Sequence, residues 1–440
     1  MIDRGRLDQL DRILLVQGQD NWPARSAGLR QAIRRATWFE DGSPEDQQVC
    51  QIIRQVRQDG DLALLECTSR YDGVSLAPDQ IRVQKADLQA AHRGLDPKVM
   101  ASIRIAIENV RGYQSAILSI NKVAHPGIRF RPIDRVGVCV PGASAPLPST
   151  VIMTAVPAQV AGVSQIAVVC PPRYNGEIHP VILAVCWELG IEEVYRVGGA
   201  QAVAALAYGT ATVRPVDKIV GPGNRWVQMA KRRVFGQVAI DSIAGPSEVV
   251  IIANDQANSA WLAADMLSQA EHAPGVAILL TDSKDLAFAV LEELKLQVGR
   301  ISRAESTIDC LLRYGAIVVF DDLDQAVDAA NEFAPEHLQV QCGDKSRQIA
   351  SSITDAGAIF IGPYSPVAVG DYWAGPSHTL PTGQTARFFS PLSSNDFIKS
   401  ISQIEYDRSM LEQAASDIAR LALVEGLEAH ARSVQIRFQP

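Results

Sequence analysis

The chain has 440 residues and a net charge of −8, from 41 Lys+Arg against 49 Asp+Glu, with 47% hydrophobic and 20% charged residues. At about 150 residues per domain this length predicts two to four domains with a sizeable core, and a charged fraction below the usual ~25% excludes a disordered chain and points to surface buried between domains or subunits. The negative balance argues against a nucleic-acid binder, which needs a basic footprint; the local run Lys231, Arg232, Arg233 reads as a solvated helix face.

In chain order, the opening Met-Ile-Asp-Arg-Gly-Arg lacks the apolar core of a signal peptide. Residues 1 to about 120 read as helical. The helical spacing is clearest over 48–71, with Cys50, Ile53, Val56, Leu62 and Leu65 on or near one face, and over 86–118 with a break around 94–97. From Arg135 strand and helix alternate. Strands are predicted at 136–140, 166–170, 194–197 and 218–220, and helices at 149–160, 182–189, 201–208 and after Asn224. A second series has strands at 249–253, 276–281, 316–320, 337–342 and 358–361, with helices at 259–272, 286–298 and 323–333. Such βα units with short connections predict parallel, helix-covered sheets, hence two α/β modules. Residues 363–395, rich in Pro, Gly, Ser and Thr, read as a long functional loop, and 407–434 is helical again.

The uncharged stretch 136–172 is interrupted by Pro141, Pro146, Pro148, Pro157, Gln159 and Gln165, so it reads as buried strand and helix rather than a membrane span. The cysteines are Cys50, Cys67, Cys139, Cys170, Cys186, Cys310 and Cys342. An odd count without Cys-x-x-Cys excludes a disulfide framework and a thiolate zinc site, and the expected compartment is the cytoplasm.

No P-loop and no complete Gly-x-Gly-x-x-Gly occurs. Three turns do follow predicted strands: Pro141-Gly142, Gly198-Gly199 and Gly221-Pro-Gly-Asn224. In doubly wound sheets ligands sit at the carboxyl ends of strands, and such glycines let backbone N–H groups approach phosphates. Plain turn punctuation explains them equally well. Of seven histidines, His92, His125 and His179 read as surface residues, whereas His272, His337, His378 and His430 lie in polar settings. Gln269 and His272 are three apart at a helix end, a spacing that suits either a mixed N/O metal site or a polar helix end. Glu336 and His337 adjoin where a helix yields to a strand, with Pro335 biasing Ala334 away from helix; they are a proton-transfer pair or an idle loop pair. The segment 370–378 sets Asp371, two aromatics and His378 in the long loop, and Glu425 and His430 lie in the last helical segment. These pieces are compatible with one metal site, but spacing leaves their convergence open.

Taken together, Val136-Gly-Val-Cys-Val-Pro-Gly, Pro148-Ser-Thr-Val-Ile-Met, Gly198-Gly-Ala-Gln, Gly221-Pro-Gly-Asn, Ala244-Gly-Pro-Ser-Glu, Ser268-Gln-Ala-Glu-His, Ala334-Pro-Glu-His-Leu, Gly370-Asp-Tyr, Ser377-His-Thr-Leu-Pro-Thr and Glu425-Gly-Leu-Glu-Ala-His resemble the histidinol dehydrogenase family over roughly 45–435. The resemblance implies two Rossmann-like doubly wound α/β modules with a helical N-terminal segment and a C-terminal helical tail. The expected boundaries are 1–32 for the N-terminal segment, 33–138 with 248–392 for a discontinuous first module, 139–247 for the NAD-binding module and 393–440 for a dimer-crossing tail. It implies oxidation of L-histidinol to L-histidine through the aldehyde with NAD, one zinc per subunit and a homodimer with a shared active site, without nucleic acid or membrane. Zinc falls to Gln269, His272, Asp371 and His430, and proton transfer to Glu336 and His337. Ser247, His378 and Glu425 contact substrate along with His337 and the zinc ligands; Cys139, Gln201 and Asn224 contact NAD. The sequence departs from the family pattern at Cys139, where Tyr is usual, and at Val367, where an acid is frequent. Ala143, Pro391 and Ser394 also replace more usual Gly, Gly and Val. Cys139 and Val367 keep open a relative that oxidises another small polar alcohol, such as a sulfonated diol; a non-catalytic binding protein on the same scaffold is the third reading.

Overall fold

The structure is a computed structural model that describes residues 4–16, 21–37, 40–119, 125–142 and 146–439. The first three residues and Ala143 therefore lie outside the described residues. The strands in chain order are β1 (Leu14–Val16), β2 (Ile128–Pro132), β3 (Arg135–Cys139), β4 (Gln165–Val169), β5 (Glu193–Tyr195), β6 (Lys218–Val220), β7 (Ala239–Ile240), β8 (Ser247–Ala253), β9 (Gly275–Thr281), β10 (Gly315–Val319), β11 (His337–Gln341), β12 (Ala358–Ile361) and β13 (Ile398–Ser402). The chain divides into a large unit, Met1–Leu118 with Ile133–Phe397, and a small one, Ser119–Pro132 with Ile398–Pro440.

The large unit holds two parallel sheets. One has the order β1-β10-β9-β8-β11-β12 and the other β5-β4-β3-β6-β7. β3, β9, β10 and β11 are buried at every position, as strands covered by helices on both faces must be. The continuous Val/Ile/Leu/Ala runs of β9 and β10 suit that burial. In the five-stranded sheet the chain proceeds outward from β3 through β4 to β5 and returns to β6 on the other side. The strand order therefore reverses between β3 and β6. In the six-stranded sheet it reverses between β8 and β11, which pair with His337 opposite Val249. This is the doubly wound α/β architecture expected from the alternation.

Several elements differ from the sequence reading. Leu14–Val16, inside the stretch read as helical, pairs with β10 as an edge strand. Three apolar residues carry too short a pattern to betray a strand without its partner. The expected helix over 48–71 is two helices, Pro44–Asp59 and Asp61–Asp72, broken at Gly60, whose φ of 57° no helix accommodates. They share a hydrophobic core with the five-stranded sheet and its helix Gly199–Tyr208. The loop 363–395 contains a helix, Val367–Tyr372, and two 3-10 turns. Helix Ala304–Tyr314 was not anticipated. Lys231 is not on a solvated face. It is 1% exposed, and its Nζ donates to the Gly221 carbonyl at 3.0 Å and to Asp241. Arg232 and Arg233 beside it pair with Asp41 and Asp46.

The small unit is an antiparallel pair, β2 with β13, followed by helices Arg408–Val424 and Glu428–Gln435. The single expected helix is interrupted at Gly426, at φ 72°. Ala419, Ala422 and Ala431 form its small core. Among the described residues no helix is long and apolar enough to cross a membrane.

Candidate active site

The Glu336–His337 pair sits where helix Leu323–Phe333 gives way to β11. The helix ends on Ala334 in the left-handed region (φ 49°, ψ 62°), followed by Pro335, so the chain turns sharply into the strand. That turn places the pair at the amino edge of the six-stranded sheet, beside the amino end of β8. This is the helix-to-strand junction read from the sequence. Glu336 Oε2 accepts from Ser247 Oγ at 2.6 Å and from the Glu248 N–H at 2.8 Å. His337 Nδ1 lies 2.9 Å from the Glu248 carbonyl. A carbonyl only accepts, so Nδ1 carries the proton and Nε2 is left with its lone pair. Burial lowers the His337 pKa, with Asp371 and the Glu248 carbonyl opposing, so the ring is neutral at physiological pH.

Glu248 was missed by sequence reasoning. Its buried carboxyl accepts from the Gly383 N–H at 2.8 Å and the Glu336 N–H at 3.2 Å. It thereby ties the 377–385 segment to the turn bearing Glu336 and His337. Burial holds both Glu336 and Glu248 well above the usual carboxyl range. The only signal in the sequence was the acid that follows Ser247.

A cavity of about 200 Å³ brings Ser247, His272, Glu336, His337, Asp371 and His378 together. His337 Nε2 is 4.0 Å from Asp371 Oδ1. Burial raises the Asp371 pKa, and the His337 and His272 imidazoles pull it back. Burial pushes the His378 imidazole down to about 4, so it too is neutral. Gln269 closes helix Ser259–Ala270 and is 2% exposed, and its Nε2 has no hydrogen-bond partner among the described residues. His272 follows in the turn before β9. Among the described residues no three His, Cys, Asp or Glu gather as a metal group. Glu425 and His430 lie in the small unit, both exposed. Of the histidines read as bland, His125 is exposed, but His92 bonds Glu188 at 2.6 Å and His179 caps helix Pro180–Glu188.

The same cavity is lined by Gly221, Pro222 and Asp241, from the carboxyl ends of β6 and β7, so there the carboxyl edge of one sheet meets the amino edge of the other. Here the expected glycine turns do lie at carboxyl ends. Gly221 has φ 104°, and a Cβ there would meet the Cys139 carbonyl at 2.4 Å. Asp241 accepts from the Gly221 N–H at 2.7 Å while Lys231 holds the Gly221 carbonyl, fixing the turn from both sides. Beyond it, a second cavity of about 200 Å³ is lined by Cys139, Gly142, Gly198, Gly199 and Asn224. The Asn224 Oδ1 caps helix Arg225–Val234 by accepting from Trp226 and Val227. Cys139 is buried, and burial pushes its thiol up to about 12, so it offers no thiolate. Gln201, 2% exposed, lines a third cavity alongside Gly199 and Asn224. Of the other departures, Val367 packs into the core of the six-stranded sheet, and Ser394 binds Gln114 through both its N–H and its hydroxyl.

A family model described as histidinol dehydrogenase matches residues 39–438. A histidinol dehydrogenase of Rhodopirellula baltica is 50% identical over 392 residues, covering 88% of this chain and 85% of that one. One of Geobacillus kaustophilus is 45% identical over 419 residues, covering 93% and 98%. The crystal structure of histidinol dehydrogenase from Elizabethkingia anophelis superposes with a TM-score of 0.87 at 32% identity, over 96% of this chain and 97% of that one.

Proposed function

The chain belongs to the histidinol dehydrogenase family and is an NAD-dependent oxidoreductase, and from that premise we propose that it carries L-histidinol through histidinaldehyde to L-histidine, a four-electron oxidation using two NAD⁺ and one water. The observation that carries the reading is the buried Glu336–His337 pair, its tautomer set by the Glu248 carbonyl, in one cavity with His272, Asp371 and His378. In the first half-reaction His337 takes the hydroxyl proton at Nε2 while the carbinol hydrogen leaves as hydride. In the second, Glu336 takes a proton from the water that adds to the aldehyde, and the hydrated carbon gives up a second hydride. A carboxyl held above its usual range is suited to gain and release protons near neutrality. Ser247 orients Glu336, and neutral His378 offers hydrogen bonds without a competing charge.

The donor set fits zinc. His272 and Asp371 line one cavity, the buried Gln269 one helical turn before His272 would add its amide oxygen, and the partner subunit's His430 would complete a mixed N/O set of four. When bound there, zinc would supply a Lewis acid that orients the substrate, and NAD⁺ would accept the hydrides. Glu425 likewise serves the partner's site in a homodimer. The glycine turns at 141–142, 198–199 and 221–224, with Gln201 and Asn224, hold the dinucleotide. The decisive experiment supplies L-histidinol, NAD⁺ and zinc to the folded protein and follows NADH while separating aldehyde from histidine. Two NADH per histidine are expected; no turnover by folded, metal-loaded protein would overturn the reading. Run in parallel with other small polar alcohols, including a sulfonated diol, the assay should favour histidinol by a wide margin, as the likeness to histidinol dehydrogenases supports.

A further inference from the structure

Three cavities follow one another along the carboxyl edge of the five-stranded sheet. The first, with Glu336 and His337, shares Pro222 with the second; the second shares Arg173, Gly199 and Asn224 with the third, of about 260 Å³. If hydride leaves in the first, the glycine turns of the second receive the diphosphate, and the third, next in line, receives the adenosine. This step rests on the NAD-dependent reading above.

In a doubly wound dinucleotide site, an acid at the end of the second strand of the nucleotide sheet holds the ribose 2′-hydroxyl. Here that strand, β4, runs into Cys170, Pro171 and Pro172 and has no acid. The acid comes from another element. Asp72 ends helix Asp61–Asp72, which packs over the same sheet. Its side chain is 2% exposed, its Oδ1 accepts from Arg173 Nε at 2.7 Å, and its Oδ2 is buried without a hydrogen-bond partner among the described residues. It lines the third cavity beside Tyr71, Gln201 and Trp226. A buried carboxylate oxygen left unpaired is costly unless a ligand donor meets it. It repels a phosphate placed in the same position.

We propose that Asp72 accepts a hydrogen bond from the adenosine ribose 2′-hydroxyl of the dinucleotide, with Tyr71 and Trp226 beside the base, and that it makes this enzyme select NAD⁺ over NADP⁺. The N-terminal helices thereby supply the cofactor-selecting residue that the second strand of the nucleotide sheet lacks.

Calorimetric titration of the full-length protein with NAD⁺, 2′-deoxy-NAD⁺ and NADP⁺ tests this without any turnover. The wild type should bind 2′-deoxy-NAD⁺ about 10- to 100-fold more weakly than NAD⁺, as expected for a hydrogen bond to a charged group, and NADP⁺ more weakly still. Asp72→Ala should bring NAD⁺ and 2′-deoxy-NAD⁺ to equal affinity and narrow the gap to NADP⁺. Equal binding of NAD⁺ and 2′-deoxy-NAD⁺ by the wild type overturns the assignment while leaving NAD⁺ use intact. So does a gap that survives in Asp72→Ala. Failure of the wild type to bind NAD⁺ at all overturns the cofactor reading with it. Should Asp72→Ala melt early through loss of its Arg173 bond, the wild-type comparison still decides.

Discussion

At the scale of single residues, catalytic competence reduces to which atoms hold protons. His337 presents a free Nε2 because its Nδ1 is spent on the Glu248 carbonyl, and burial keeps the ring neutral. His337→Asn removes the base and should lower kcat by about 10²- to 10⁴-fold, with NAD⁺ affinity by calorimetry unchanged. Because the shift is downward, the ring stays neutral to below the ordinary imidazole value of about 6.5. The acid limb of kcat/KM for histidinol should therefore fall under that pH, and a limb above it would contradict His337 as the base. Glu248 touches no reacting atom, yet its two carboxylate oxygens accept the Glu336 and Gly383 N–H groups. Glu248→Gln sets an NH₂ against one of those donors. We expect kcat to fall about 10- to 100-fold with little change in KM, while Glu248→Asp, which keeps both acceptors, recovers part of the rate.

At the scale of elements, two buried ion pairs hold the five-stranded sheet and its turns. Lys231 and Asp241 grip opposite sides of the Gly221 peptide. Lys231→Met leaves a buried carboxylate unpaired, which costs about 3–5 kcal/mol; it should lower the melting temperature and weaken NAD⁺ together. Arg135, on β3, reaches across to Glu193 on β5, which also accepts from Tyr195 and Arg214. These bonds hold the Glu193 carboxyl down at about 2. An unfolded glutamate titrates near about 4.3. The stabilisation is thus complete above that value and is lost as pH falls toward 2. Melting curves should separate wild type from Glu193→Gln at pH 7 and converge near pH 2–3. A constant separation would show that the pair contributes nothing through charge.

For the whole molecule, the small unit carries exposed apolar side chains. Leu421, Leu423 and Val424 are 66%, 53% and 82% exposed on its long helix, and Glu425 and His430 follow directly. If each His430 serves the other subunit's zinc, then inactive His272→Ala and His430→Ala proteins, unfolded and refolded together, should regain about a quarter of wild-type activity, since half the dimers are mixed and each carries one intact site. Each refolded alone stays inactive. No recovery would place His430 outside the partner's site.

The local patterns in the sequence were sufficient for the two βα series, for the glycine turns after β3, β5 and β6, and for the place of Glu336 and His337 at the end of a helix. Periodicity, turn chemistry and a proline that ends a helix act within a few residues, so they are legible in order. Leu14–Val16 as a sheet edge, Lys231 as a buried anchor, Glu248 behind Glu336 and Asp72 in a cavity beyond Gly199 were not legible. Each is defined by a partner between 10 and about 300 positions away, and only packing brings such partners together. The sequence by itself determined the fold class and which residue types were available for the chemistry. Tertiary structure decided that Glu336 and His337 stand at the amino edge of one sheet against the carboxyl edge of the other, because burial and long-range hydrogen bonds, not spacing, select which polar groups meet.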